Sequence, residues 1–119
     1  MVMRRTNPAF LNGVPEMLLL KLLADRPMYG YELTQAIKRA TGQGLEFGEG
    51  CIYPILHRLE SQKLLAASKE SVGGRVRVVY RTTAKGRTQF SETVDSWQRV
   101  VTAVNHALQG GERGRPALA

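Results

Sequence analysis

Glu49-Gly50-Cys51-Ile52-Tyr53-Pro54-Ile55-Leu56-His57-Arg58-Leu59-Glu60 is the stretch on which the fold turns. Ile52, Ile55, Leu56 and Leu59 recur at helical spacing and form one apolar stripe. A helix is therefore expected from about Glu49 or Gly50 to Gln62-Lys63. Pro54 is expected in its first turn, where N–H groups have no intrahelical acceptor. The helix opens with the small residues Gly48, Gly50 and Cys51, so its start can approach the floor of a DNA major groove.

The segment after that helix reads as a hairpin. Leu64 to Lys69 can be a strand, Val72-Gly73-Gly74 is a flexible tip, and Arg75 to Arg81 alternates as a second strand. Alternation sends Val76, Val78 and Tyr80 to one face and Arg75, Arg77 and Arg81 to the other. Three arginines on one strand face suit a wing that touches phosphate.

Two helices precede it. Pro15 is well placed as the first residue of a helix whose Met17, Leu18, Leu19, Leu20, Leu22 and Leu23 are apolar on nearly every side. That helix should be the central one of the core, ending near Asp25-Arg26-Pro27. A second helix is expected from Gly30 to Ala40, with Tyr29, Leu33, Ala36, Ile37 and Ala40 inward and Glu32, Gln35, Lys38 and Arg39 wet. Glycine in Thr41-Gly42-Gln43-Gly44 ends it.

Beyond the hairpin, Phe90, Val94, Trp97, Val101, Val104 and Leu108 are spaced four and three alternately, an a/d seam on a helix from about Ala84 to Leu108. Such a helix is about 37 Å long, more than so small a domain can cover, so part of the seam is expected to meet a second copy. The expected fold is mainly α with a small β-hairpin: a winged helix-turn-helix plus a long C-terminal dimerisation helix. The expected organisation is a DNA-binding domain over 1–83 with an N-terminal arm (Met1 to Asn12), a dimerisation helix over 84–109, and a disordered tail over 110–119 rich in Gly, Arg and Pro.

Charge agrees with a nucleic-acid partner. The 119 residues carry +7, and +6 of it lies between Arg58 and Arg87, where eight basic residues face only Glu60 and Glu70. An acidic protein surface or anionic lipid would satisfy the same charge. No stretch is long and apolar enough to span a bilayer, and no signal-peptide pattern opens the chain. The single cysteine, Cys51, forms no internal disulfide, so a reducing cytoplasm is the simplest setting. One Cys and two separated histidines, His57 and His106, make no metal set. The Gly-rich run Gly42 to Gly50 follows a helix and lacks a Lys-Ser/Thr pair, which excludes a nucleotide loop. With no nucleophile elbow either, no enzyme and no cofactor are expected.

Three segments resemble the PadR-type transcription regulators. Met28-Tyr29-Gly30-Tyr31-Glu32-Leu33 is similar to the motif opening the family's second helix. Glu49 to Glu60 resembles its recognition helix, and Tyr80-Arg81-Thr82-Thr83-Ala84-Lys85-Gly86 its exit from the wing. The resemblance covers roughly Pro15 to Leu108. It implies a homodimer of the short, single C-terminal-helix branch that represses a nearby operon and is released by a small molecule or another signal. The chain departs from the pattern at Ala67 and Ser68, where the family often has an aromatic, and at Thr82, where Leu is usual.

The residues expected at DNA are Gly50, Cys51, Tyr53, His57, Arg58, Lys69, Arg75 and Arg77, with Arg58 as a phosphate ligand and Arg75 and Arg77 as the main wing contacts. Lys38 and Arg39 are weaker candidates, and Cys51 reads as a small residue rather than a redox sensor. Trp97, on the seam, is either plain interface packing or, by resemblance, the platform for a flat aromatic effector. The expected partners are a pseudo-palindromic double-stranded operator, a second copy and such an effector. Two other readings fit: a winged helix that binds an acidic protein and ignores DNA, and a dimer whose task is to sequester ligand.

Overall fold

The computed structural model describes residues 13–110. The expected N-terminal arm, Met1 to Asn12, and the tail beyond Gly110 lie outside the described residues. The chain forms α1 (Val14–Asp25), β1 (Met28–Tyr29), α2 (Gly30–Ala40), α3 (Glu49–Ser61), β2 (Leu65–Val72), β3 (Arg75–Thr82) and α4 (Ala84–Leu108). This is a winged helix-turn-helix carrying one long C-terminal helix.

α1 is central, as an all-round apolar helix must be. Leu19, Leu20 and Leu23 are buried against Leu33 and Ile37 of α2, Ile52, Leu56 and Leu59 of α3, and Leu65 and Tyr80 of the sheet. Phe47, in the loop between α2 and α3, also enters this core. Thr41 holds that loop: its hydroxyl donates to the Ile37 carbonyl at 2.8 Å and accepts the Leu45 N–H at 3.1 Å.

Pro54 corrects the sequence expectation. It lies inside α3, in the second turn, so the helix forgoes the bond that the Gly50 carbonyl would otherwise accept. The helix tolerates this on its exposed side. It ends at Ser61 with Gln62 as its cap, and Lys63 beyond takes a left-handed φ of 66° so that the Leu64 N–H reaches the Leu59 carbonyl at 2.9 Å.

β2 runs three residues past the expected Lys69, and the tip is only Gly73-Gly74, with φ of 59° and 81°. Positive φ at both central residues is what a two-residue turn matched to strand twist requires. The three strands are antiparallel in the order β1-β3-β2, with Tyr29 opposite Val79, Ala67 opposite Tyr80 and Glu70 opposite Arg77. β1 has no counterpart in the sequence reading, because two residues between Pro27 and a helix carry no detectable period.

The wing faces alternate as the sequence reads, but their burial is uneven. Val76, Val78 and Tyr80 share a face, yet only Tyr80 reaches the core; the hairpin projects past the helices and leaves Val76 74% exposed. On the other face, Arg77 is half-buried and Arg81 is paired with Glu70, so only Arg75 is fully exposed.

Where α4 starts, it is fastened to the end of α3. Thr83 Oγ1 accepts the Gly86 N–H at 3.0 Å and donates to the Lys63 carbonyl at 2.7 Å, and Lys85 donates to the Gln62 carbonyl at 3.0 Å. Phe90 packs on the core and Val94 is half-buried. Farther out, Trp97, Val100, Val104 and Leu108 are exposed, with Val101 half-buried.

Candidate nucleic-acid interface

The buried stripe of α3 sets what its other side presents. Gly50, Pro54, His57 and Ser61, spaced four, three and four, are all exposed. Cys51 and Arg58 flank this row toward α1, and Tyr53 flanks it toward the sheet. Pro54 and Ser61 escape a reading that looks for polar or small residues one at a time; counting outward from Gly50 finds both.

The hydroxyl end of Tyr53 lies against Gly30. A Cβ at Gly30 would come 2.4 Å from the Tyr53 Cζ and hydroxyl, so only glycine lets the ring settle there. The Tyr53 and His57 rings are 6.2 Å apart, centroid to centroid. Burial, helped by the Glu49 carboxylate and opposed by the charge of Arg77, raises the Tyr53 hydroxyl above its ordinary 10.0. Tyr53 is therefore a neutral hydrogen-bond donor at physiological pH.

The basic residues divide by whether an acid already holds them. Arg58 Nη2 is 2.7 Å from Glu16 Oε1, Arg81 is on Glu70, Arg26 on Glu32 at 3.1 Å and Lys38 on Glu46 at 3.8 Å. Glu70 is well held: the Ser68 hydroxyl and the Arg81 guanidinium together keep its carboxyl below the ordinary 4.5. Among the described residues, Arg75 and Arg77 have no acidic partner. These two share a wing face. Lys69 does not: it pairs with Val78 in the ladder and lies on the opposite face.

Arg77 lies over the Tyr29 ring, its guanidinium carbon 4.5 Å from the centroid. Tyr29, Arg77, Tyr53 and His57 thus form a continuous row from the wing onto α3, with Arg75 beyond it at the tip. Of the residues expected at DNA, Gly50, Tyr53, His57, Arg75 and Arg77 belong to this surface or border it. Arg58 is drawn aside by Glu16 and Lys69 by the strand alternation, while Cys51 is exposed on the α1 flank. The sequence reading puts Tyr29 on the inward face of the second helix, because only the β1–β3 pairing brings it to the wing.

The seam residues of α4 divide in two. The inner half, Phe90 and Val94, covers the chain's own core, whereas Trp97, Val104 and Leu108 stand free with Val100 beside them. Between Trp97 and the start of α1 lies a groove of about 290 Å³, lined by Gly13, Val14, Met17, Thr93, Ser96, Trp97 and Val100.

Comparison with known proteins agrees with this architecture. Residues 19–92 match the Transcriptional regulator PadR-like family. The transcriptional regulator Rv3488 of Mycobacterium tuberculosis is 37% identical over 94 residues, covering 79% of this chain and 81% of its own. A PadR family transcriptional regulator from Eggerthella lenta superposes with a TM-score of 0.75 at 30% identity, over 87% of this chain and 88% of its own. A PadR-like regulator from Bacillus cereus gives 0.74 at 35% identity, over 86% and 98%. No helix among the described residues is long and apolar enough to cross a membrane. The chain is a transcription regulator rather than an enzyme, and it belongs to the PadR-like family.

Proposed function

We propose that this regulator is a homodimeric repressor that grips a pseudo-palindromic operator with two α3 helices, about 34 Å apart in successive major grooves. The observation that carries the reading is the pair of wing arginines, Arg75 and Arg77, left without an acidic partner beside the exposed row of α3. Arginines already neutralised within a chain add little to polyanion affinity; those held apart from acids retain their full attraction for phosphate. Gly50, Pro54, His57 and Ser61 would face base edges, Tyr53 would donate its hydroxyl, and the wing arginines would set the register on the backbone.

The second copy is expected on α4. Trp97, Val100, Val104 and Leu108 make an apolar strip longer than a monomer leaves exposed without a use. The groove at Trp97 is close to the lower end of small-ligand sites, ~300 Å³, which favours a flat aromatic effector as the releasing signal. Because Thr83 and Lys85 fasten α4 to the end of α3, a tilt of the long helices would change the spacing of the two reading heads. The expected setting is the cytoplasm.

The test is fluorescence anisotropy of the protein on DNA from upstream of its own coding sequence, against a scrambled duplex, across a salt series. A preference of about a thousandfold or more is expected of a specific regulator. Equal, steeply salt-dependent binding to both duplexes would favour an acidic protein partner instead. Quenching of Trp97 by flat aromatic cations with no change in DNA affinity would favour sequestration.

A further inference from the structure

Arg77 is built unlike the other arginines of the wing. Its Nε is buried and has no hydrogen-bond partner among the described residues. Arg81, four residues on, has Glu70 to hold it; Arg77 has no acid, although Glu70 lies directly opposite it in the ladder. What holds Arg77 is an aromatic face. Tyr29 pairs with Val79 on β3, and Arg77 is two residues along on the same face, the diagonal position from which a long side chain reaches a ring. Gly30 follows Tyr29 and is the residue on which the Tyr53 ring rests. Two adjacent residues, Tyr29 and Gly30, therefore seat the wing arginine and the α3 tyrosine side by side.

An arginine of this kind has two ways to be ordered. An acid would orient it but cancel the charge that phosphate must feel. A ring orients the guanidinium through its face and leaves the charge and the edge donors unspent. With Glu70 taken up by Ser68 and Arg81, Arg77 rests on Tyr29 with its charge unpaired, as fits a side chain kept ready for an anion. Resting DNA-binding arginines otherwise lose rotamer freedom when they engage, which subtracts from affinity.

We propose that Tyr29 is a positioning residue for DNA binding, its ring holding the Arg77 guanidinium in place for a phosphate beside the Tyr53 end of α3. This rests on the DNA reading above and adds a residue that touches no DNA itself. Tyr29 acts through Arg77, so its effect must vanish when Arg77 is removed.

The experiment is a double-mutant cycle read by anisotropy on a mixed-sequence duplex at low salt, which needs no knowledge of the operator. Tyr29→Phe keeps the ring and should bind within about twofold of the native chain. Tyr29→Leu keeps an apolar side chain but loses the face, and should bind about three- to tenfold more weakly. In an Arg77→Ala background, Tyr29→Leu should change nothing further. An equal loss in both backgrounds would overturn the proposal, because the ring would then be acting as structure. So would unchanged affinity of Tyr29→Leu, or of Arg77→Ala alone. If the native chain binds no duplex at any salt concentration, the DNA reading fails, and the role of Tyr29 fails with it.

Discussion

Arg58 Nη2 sits 2.7 Å from Glu16 Oε1, so an arginine of α3 is tied to the first turn of α1. The pair is half in water, Arg58 being 48% and Glu16 20% exposed, so it steadies the α1–α3 contact by roughly 0.5–1 kcal/mol. α3 is thus anchored at the place where α1 also borders the Trp97 groove through Val14 and Met17.

From this the roles of two arginines separate. Arg58→Ala is expected to lower thermal stability and leave DNA affinity within about threefold of native, because Glu16 already neutralises it. Arg77→Ala is expected to do the reverse: melting close to native, affinity weaker for every sequence, and the slope of log K against log salt flatter by roughly one unit. Melting curves and a salt titration on both variants check the pair. A flattened slope in Arg58→Ala would return Arg58 to the phosphate-binding set.

Two glycines test the packing with opposite signs. A Cβ at Gly86 would lie 2.2 Å from the Leu64 carbonyl, a backbone atom that cannot swing away, where α4 crosses the end of α3. Gly86→Ala should therefore destabilise by roughly 1–3 kcal/mol. Gly50, in the first turn of α3, has nothing within 4 Å of its would-be Cβ. Gly50→Ala should be neutral or stabilising by up to ~1 kcal/mol, while DNA affinity falls if that turn meets the groove floor. Denaturant unfolding gives the stabilities, and anisotropy gives the affinity.

How far the sequence foretold these features depends on how local each signal is. The apolar stripe of α3 and the seam of α4 are periodic over several turns and α1 is apolar all round, so these helices were legible, though not the turn of α3 that holds Pro54. The hairpin was legible from Gly73-Gly74 and the alternation after it. β1 was not, because Met28 and Tyr29 become a strand only by pairing with Tyr80 and Val79 of β3, far downstream in the chain. The same long-range pairing hid Tyr29 as the seat of Arg77. The exposure of the wing valines was open for another reason: alternation says which side chains share a face, not how far along the hairpin the core extends. Likewise, charge counting placed a basic excess between Arg58 and Arg87 but had no means of knowing that Glu16, from α1, would neutralise Arg58.

Glu70 restrains the wing's charge, and its removal should show in two measurements. Its carboxyl is held below the ordinary 4.5, first by the Ser68 hydroxyl at 2.7 Å and then by Arg81. A carboxyl lowered by folding stabilises the fold above its unfolded value, and that contribution is lost as pH falls through the lowered value. Glu70→Gln should thus melt slightly below the native chain near neutrality, with the gap closing as pH drops below 4.5. The contribution is small because the pair is exposed to water. The same change releases Arg81, so DNA affinity should rise and the salt slope steepen by up to about one unit. A slope unchanged by Glu70→Gln would mean that Arg81 stays clear of phosphate even when freed.

The outer half of α4 offers the sharpest test of assembly. Val104 is 49% and Leu108 78% exposed in the single chain, so a charge at either place disturbs nothing within the protomer. Val104→Asp should keep the melting of the winged-helix body, whose core is built from α1, α2, α3 and the sheet. Sedimentation velocity should nonetheless find it monomeric and the native chain dimeric, since an aspartate in the middle of a seam would be buried without a partner. Specific DNA affinity should then fall far more than non-specific affinity, because two heads on one dimer bind a second half-site at high effective concentration and separate heads do not. If Val104→Asp remains a dimer, the copies meet through some other surface, and the exposed strip on α4 must be assigned a different occupant.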